Sequence, residues 1–155
     1  MKNILGLLAL AALATLAACR GPAHQHTPLP AQDVVVTSPE LARIYCVREE
    51  EVGSTGLRTA AIEVHDGDKR IGQLNSGTFL CWERKGGRTL GRAFYHAVDP
   101  SLGNLDGIGD LDCPAGSAYY FNITVRRSDG KPLFEKLDPE KGKALVGKRS
   151  WAGEE

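Results

Sequence analysis

Between Arg43 and Leu137, short runs of β-branched and aromatic residues alternate with glycine-containing turns. That rhythm leaves a chain of this kind few folds other than an all-β one. Arg43-Ile44-Tyr45-Cys46-Val47-Arg48 predicts a first strand, followed by a charged loop over 49–56. Residues 61–64 alternate in polarity, and His65-Asp66-Gly67-Asp68 supplies a tight turn into a return strand over 70–74. Asn75-Ser76-Gly77 leads into a strand over 78–83, and Lys85-Gly86-Gly87 into another over 89–95. Pro114-Ala115-Gly116 introduces the run from Tyr119 to Val125, and Ser128-Asp129-Gly130 turns into 133–137. Asp138 as a cap, Pro139 at the first helical position and Glu140 at the positive end of the dipole predict one short C-terminal helix. Gly142 weakens it, and residues 148–155 are expected to fray. The fold class expected is mainly β: an antiparallel sandwich or partly open barrel over residues 41–147. Periodicity does not separate the two.

The N-terminal segment has a different grammar. Lys2 precedes an apolar run from Ile4 to Leu16, and Leu16-Ala17-Ala18-Cys19 closes it. The run is shorter than the roughly 20 residues a spanning helix needs, and it fits the apolar core of a secretory signal. Cys19 stands where the mature chain would begin, so the stretch closely resembles the lipobox of bacterial lipoproteins. The resemblance implies cleavage after residue 18, a diacylglyceryl group on the Cys19 thiol and acylation of the new amine. Each buried methylene contributes about 0.8 kcal/mol, enough for two or three chains to anchor a protein stably. Arg20, in place of the aspartate that favours inner-membrane retention, implies the outer membrane, with the domain facing the periplasm. Residues 19–40, with Pro22, Pro28, Pro30 and Pro39, read as a flexible tether. Val34-Val35-Val36 interrupts it as a candidate edge strand.

The β region also resembles a known group. The run 42–48, the hairpin segment Val64–Leu74, the turn Asn75-Ser76-Gly77-Thr78-Phe79 and the entry Pro114-Ala115-Gly116-Ser117-Ala118-Tyr119-Tyr120 are similar to the domain-of-unknown-function family 2846, small bacterial lipoproteins. The resemblance spans about residues 40–147 and implies no catalytic residues, because the group has no established activity. The cysteines and the aspartate-rich segment lie outside the shared pattern.

Composition narrows function by exclusion. The chain has 19 basic and 19 acidic residues, and removing residues 1–18 takes away one lysine and no acid. A mature chain with one net negative charge has no electrostatic case for nucleic acid. With Cys19 set aside, Cys46, Cys81 and Cys113 remain, an odd number in an oxidising compartment. The favoured pairing is Cys81–Cys113, with Cys46–Cys113 and three free thiols as alternatives. The segment Asp99–Asp112 invites a calcium reading, but aligning Gly107 with the glycine of an EF-hand puts Leu102 and Cys113 at the first and last ligand positions. A solvated loop is the expectation there. His24 and His26 form a His-x-His pair with too few ligands to fix a metal, and His65 and His96 read as exposed or edge residues. A nucleophile built from Cys81, His96 and a loop aspartate lacks any sequence reason to assemble. Asn122-Ile123-Thr124 is a chance acceptor match. Trp82, Tyr119, Tyr120 and Phe121 read as packing residues, and three consecutive aromatics must point to both sheet faces. The expectation is therefore a membrane-anchored, non-catalytic envelope module without cofactor or metal, whose partner is an envelope protein or polymer. The alternative is a periplasmic small-ligand or metal carrier using the aspartate-rich loop or the tether histidines.

Overall fold

The structure is a computed structural model and describes residues 27–50, 60–96, 104–126 and 128–153. Nine strands and one helix follow in the order β1 (Leu41–Val47), β2 (Ile62–Asp66), β3 (Lys69–Leu74), β4 (Thr78–Lys85), β5 (Gly87–His96), β6 (Asn104–Cys113), β7 (Ala118–Val125), β8 (Pro132–Lys136), α1 (Pro139–Val146) and β9 (Ser150–Trp151), counted among the described residues. They form two sheets, β8-β7-β1-β4-β9 and β3-β2-β5-β6, so the architecture is a sandwich and not a barrel. The first sheet is mixed: β1 runs parallel to β7, and β9 parallel to β4, while every other pair is antiparallel. Strand β7 lies far from β1 in sequence, and the intervening second sheet serves as the crossover that a parallel pair requires.

Alternation along β1 and β4 divides the apolar residues between two cores. Ala42, Ile44 and Cys46, with Leu80 and Trp82, face the second sheet and meet Ile62, Val64, Ile71, Leu74, Ala93 and Leu111. Tyr45, Val47, Phe79 and Cys81 point the other way, into a smaller cluster with Tyr120 and Leu137. The aromatic run in β7 splits as expected. Tyr119 and Phe121 join the inter-sheet core, Tyr120 joins the outer cluster, and both faces are covered.

Four sequence expectations are corrected. The segment read as a solvated loop is, from Asn104 to Cys113, a ten-residue strand paired along its whole length with β5. Its glycines mark alternate inward positions and not a turn. A Cβ at Gly107 would lie 2.0 Å from the Pro132 carbonyl oxygen, and one at Gly109 would lie 2.5 Å from the Phe134 side chain. Bare backbone on that face is what lets β8 close against β6. Residues 27–40, read as a tether, are instead laid over the domain: the Thr27 amide donates to the Ile71 carbonyl (3.3 Å), and Leu29 packs on the outer cluster. Val34 and Val35 form a bend and Val36 is irregular, so the run is not a strand. The tail read as frayed supplies β9, with Ser150 opposite Thr78 and Trp151 opposite Phe79.

The hairpin between β2 and β3 also differs in detail. The two-residue turn is Gly67-Asp68, and Asp66 is the last strand residue with its side chain buried. Its carboxylate accepts from Trp82 Nε1 (2.8 Å), Arg84 Nε (2.8 Å) and the Thr89 hydroxyl. Arg84 also donates through Nη2 to the Leu111 carbonyl (2.8 Å). Asp66 and Thr89 belong to one sheet and Trp82 and Arg84 to the other, so this network is a polar clasp across the sandwich.

Candidate functional site

Among the described residues, the outer face of the first sheet carries a polar arrangement centred on Arg43 and Glu83. Register places Ala118, Arg43 and Glu83 side by side across β7, β1 and β4, with Tyr120, Tyr45 and Cys81 forming the next outward-facing row. The Tyr45 and Tyr120 rings stack, with centroids 4.9 Å apart and planes 7° from parallel. Helix α1 covers the Tyr120 side. Its Asp138 cap accepts from the Glu140 amide (2.9 Å), as expected from the sequence. Gly142, which weakens the isolated helix, is where Tyr120 comes closest: a Cβ there would sit 2.2 Å from the ring.

Residues 32–37 roof the other side. Arg43 Nη1 donates to the Val34 carbonyl (2.6 Å), the Tyr45 hydroxyl donates to Gln32 Oε1, and the Thr37 amide donates to Glu83 Oε1 (2.9 Å) while its hydroxyl donates to Glu83 Oε2. Arg43 Nε donates to Glu83 Oε1 (3.0 Å), and the guanidinium is only 2 % exposed. Burial alone would raise the Glu83 carboxyl, but hydrogen bonds from Thr37 and Arg43 outweigh it and hold the group below the ordinary glutamate range. For Arg43, burial works to lower the pKa, while Tyr45 and Glu83 raise it above the usual value. Between this roof, the tyrosine pair and the start of α1 lies a cavity of about 360 Å³. Val34, Val35, Ala118, Tyr120 and Pro139 give it apolar walls, and Arg43 and Lys143 bring positive charge.

The thiols do not form the expected bridge. Cys46, Cys81 and Cys113 are free and buried. Cys81 points into the outer cluster and Cys113 into the inter-sheet core, on opposite faces of the first sheet, which is why Cys81–Cys113 does not close. Burial pushes Cys81 up to about 12 and Cys113 to about 11, and holds Cys46 well above its usual value. Thiols in that state are protonated at neutral pH and make poor nucleophiles. Cys81 and His96 belong to strands of different sheets, β4 and β5. Cys19, His24 and His26 lie outside the described residues. His65 is half-buried on β2, 2.6 Å from Glu63 Oε1, with its ring edge against Phe94. Asn122 is buried in β7 and donates to Glu49 Oε1 (3.0 Å). The aspartates of β6 stand at alternate positions on its outer side, with Asp110 held by Arg88 at 2.6 Å. Among the described residues no three His, Cys, Asp or Glu side chains converge as a metal set, and no helix is long and apolar enough to cross a membrane.

Sequence reasoning missed Arg43, Glu83, Tyr45 and the residues roofing them. The signal was present as charged residues in runs that otherwise read apolar, Arg43 beside Ile44 and Glu83 beside Trp82. Joining them required the register of β1 on β4. No family model, curated protein or solved structure matches the chain.

Proposed function

We propose that the chain is a lipid-anchored bacterial envelope protein, of the kind its resemblance to family 2846 implies, and that it acts by binding and not by catalysis. The observation that supports binding is the roofed cavity on the outer face of the first sheet. It combines a volume in the range of small-ligand sites with apolar walls and a few convergent polar groups. The high thiol pKa values favour the non-catalytic reading, since they leave no activated sulfur nucleophile among the described residues. The resemblance to a signal ending in Cys19 supports the lipid anchor and an outer-membrane location facing the periplasm.

Two measurements test the two halves of this reading. Cys19→Ser removes the lipidated thiol, and the expected result is a shift from the membrane to the soluble fraction with a matching loss of lipid mass. Unchanged partitioning would end the lipoprotein reading. A photo-crosslinking residue at Val35, on the cavity rim, is compared with one at Leu90 on the far face of the second sheet. Both positions are exposed. Discrete adducts with envelope components from position 35, and none from position 90, are expected. Equal yields would remove the cavity from the proposal.

A further inference from the structure

We propose that the cavity under residues 32–35 takes a small amphiphilic carboxylate, with the anion meeting Lys143 and Arg43 and the apolar body lying along Val34, Ala118 and Tyr120. This inference rests on the reading of that cavity as the binding site, and it does not depend on the lipid anchor.

The case for a carboxylate lies in geometry and not in net charge, since Arg43 and Lys143 each already face a carboxylate, Glu83 at 2.9 Å and Glu140 at 3.5 Å, beside Asp33 on the roof. Arg43 has hydrogen-bonding capacity in reserve. Its Nε and Nη1 are engaged, but Nη2, buried and 2.9 Å from Glu83 Oε1, makes no hydrogen bond. A guanidinium presents its donors as a planar fork suited to a carboxylate, and a buried donor left unmade is costly. A ligand carboxylate would supply the missing acceptor.

Access has an order. The Lys143 side chain is exposed, and its ammonium is only loosely held by Glu140 at 3.5 Å, so it meets the anion first. Arg43 Nη2 is closed off from solvent. The carboxylate reaches it when the Val34 carbonyl releases Nη1 and the roof shifts outward. The carboxylate then takes the place of the Val34 carbonyl at Nη1 and gives Nη2 the hydrogen bond it lacks. The apolar walls set the other half of the specificity: a free carboxylate without a body leaves them unfilled, and a body without charge leaves Nη2 with its ion pair to Glu83 and no hydrogen bond.

The test uses 3-phenylpropionate and its neutral analogue 3-phenylpropanamide on the purified full chain. Binding is read by saturation-transfer NMR, with the same buffer and detergent without protein as blank. The carboxylate is expected to bind at least about tenfold more tightly than the amide, the low end for a hydrogen bond to a charged group. Lys143→Glu is expected to weaken the carboxylate by about three- to tenfold, the exposed ammonium being partly screened, and to leave the amide unchanged. Because Arg43 is buried and its removal threatens the fold, a second variant, Ala118→Phe, fills the wall and is expected to abolish binding of both probes while the thermal transition persists. Equal affinity for the two probes would overturn the anionic assignment but leave the cavity as a binding site. No binding of either would overturn the inference outright, and crosslinking from position 35 would still report separately on a larger partner.

Discussion

Replacing Asp66 with alanine is the most informative single perturbation of the fold. Its carboxylate is almost fully buried and accepts from Trp82 Nε1 at 2.8 Å, Arg84 Nε at 2.8 Å and the Thr89 hydroxyl. Alanine strands the Trp82 N–H, on a side chain 1 % exposed, at about 1–3 kcal/mol for an unsatisfied buried donor. It also removes the partner of a largely buried cation, a change that typically costs about 3–5 kcal/mol. Arg84 keeps its bonds to the carbonyls of Lys85, Gly87 and Leu111, which offsets part of the second cost. The expected loss is about 4–5 kcal/mol, a large share of the roughly 5–15 kcal/mol that holds an ordinary domain together. Urea denaturation followed by Trp fluorescence gives the value. Arg84→Met and the double variant complete a cycle, and the two changes together are expected to cost less than their sum because no buried charge is left unpaired. A loss below about 1 kcal/mol for Asp66→Ala, or strict additivity in the cycle, would refute the clasp.

Three further outcomes follow from the same structure. Gly107→Ala is expected to destabilise by about 1–3 kcal/mol, the usual cost of overpacking, because its Cβ would meet backbone 2.0 Å away on β8; denaturation midpoints check it. The Glu83 carboxyl is held below its ordinary range in the folded state, so its contribution to docking the roof is intact above that range and is lost as pH falls through the lowered folded value. The protection of the Thr37 amide from hydrogen exchange, relative to the intrinsic rate at each pH, should therefore fall at acid pH in the wild type and already be low at neutral pH in Glu83→Gln. Cys46, Cys81 and Cys113 should resist a disulfide reagent at neutral pH in the native protein and react together on unfolding; rapid native labelling of any one would contradict its burial.

The order of most strands and the helix cap were legible because they depend on local chemistry: β-branched runs, glycine turns, and Asp138-Pro139 ahead of a short helix. What escaped depended on contacts distant in sequence. Asn104–Cys113 reads as a loop because aspartate and glycine are turn residues in isolation. Its period-two placement of Gly107, Gly109 and Leu111 has meaning only beside β8, which needs bare backbone there. The parallel pairing of β1 with β7 leaves no local trace, and neither does the split of Cys81 and Cys113 between faces. Asp66 looked like a turn residue because its three partners lie 16–23 residues away. Similarly, the proline-rich segment is unstructured by composition and ordered by contacts distant in sequence, with Arg43, Tyr45, Glu83 and Ile71.

That docked segment also sets a length. With residues from Thr27 onward fastened to the sandwich, only the seven residues from Arg20 to His26 separate it from Cys19. Fully extended, seven residues span at most about 25 Å. If Cys19 carries the proposed lipid, the domain rides within about one small-protein diameter of the bilayer, tied at the β3 edge where Thr27 is held. Freeing residues 27–40 would lengthen the leash to 21 residues, or at most about 75 Å. On that proposal, the contacts that hold residues 27–40, from the Thr27 amide on Ile71 to the hydrogen bonds at Glu83, Arg43 and Tyr45, would set the height at which the protein meets a partner.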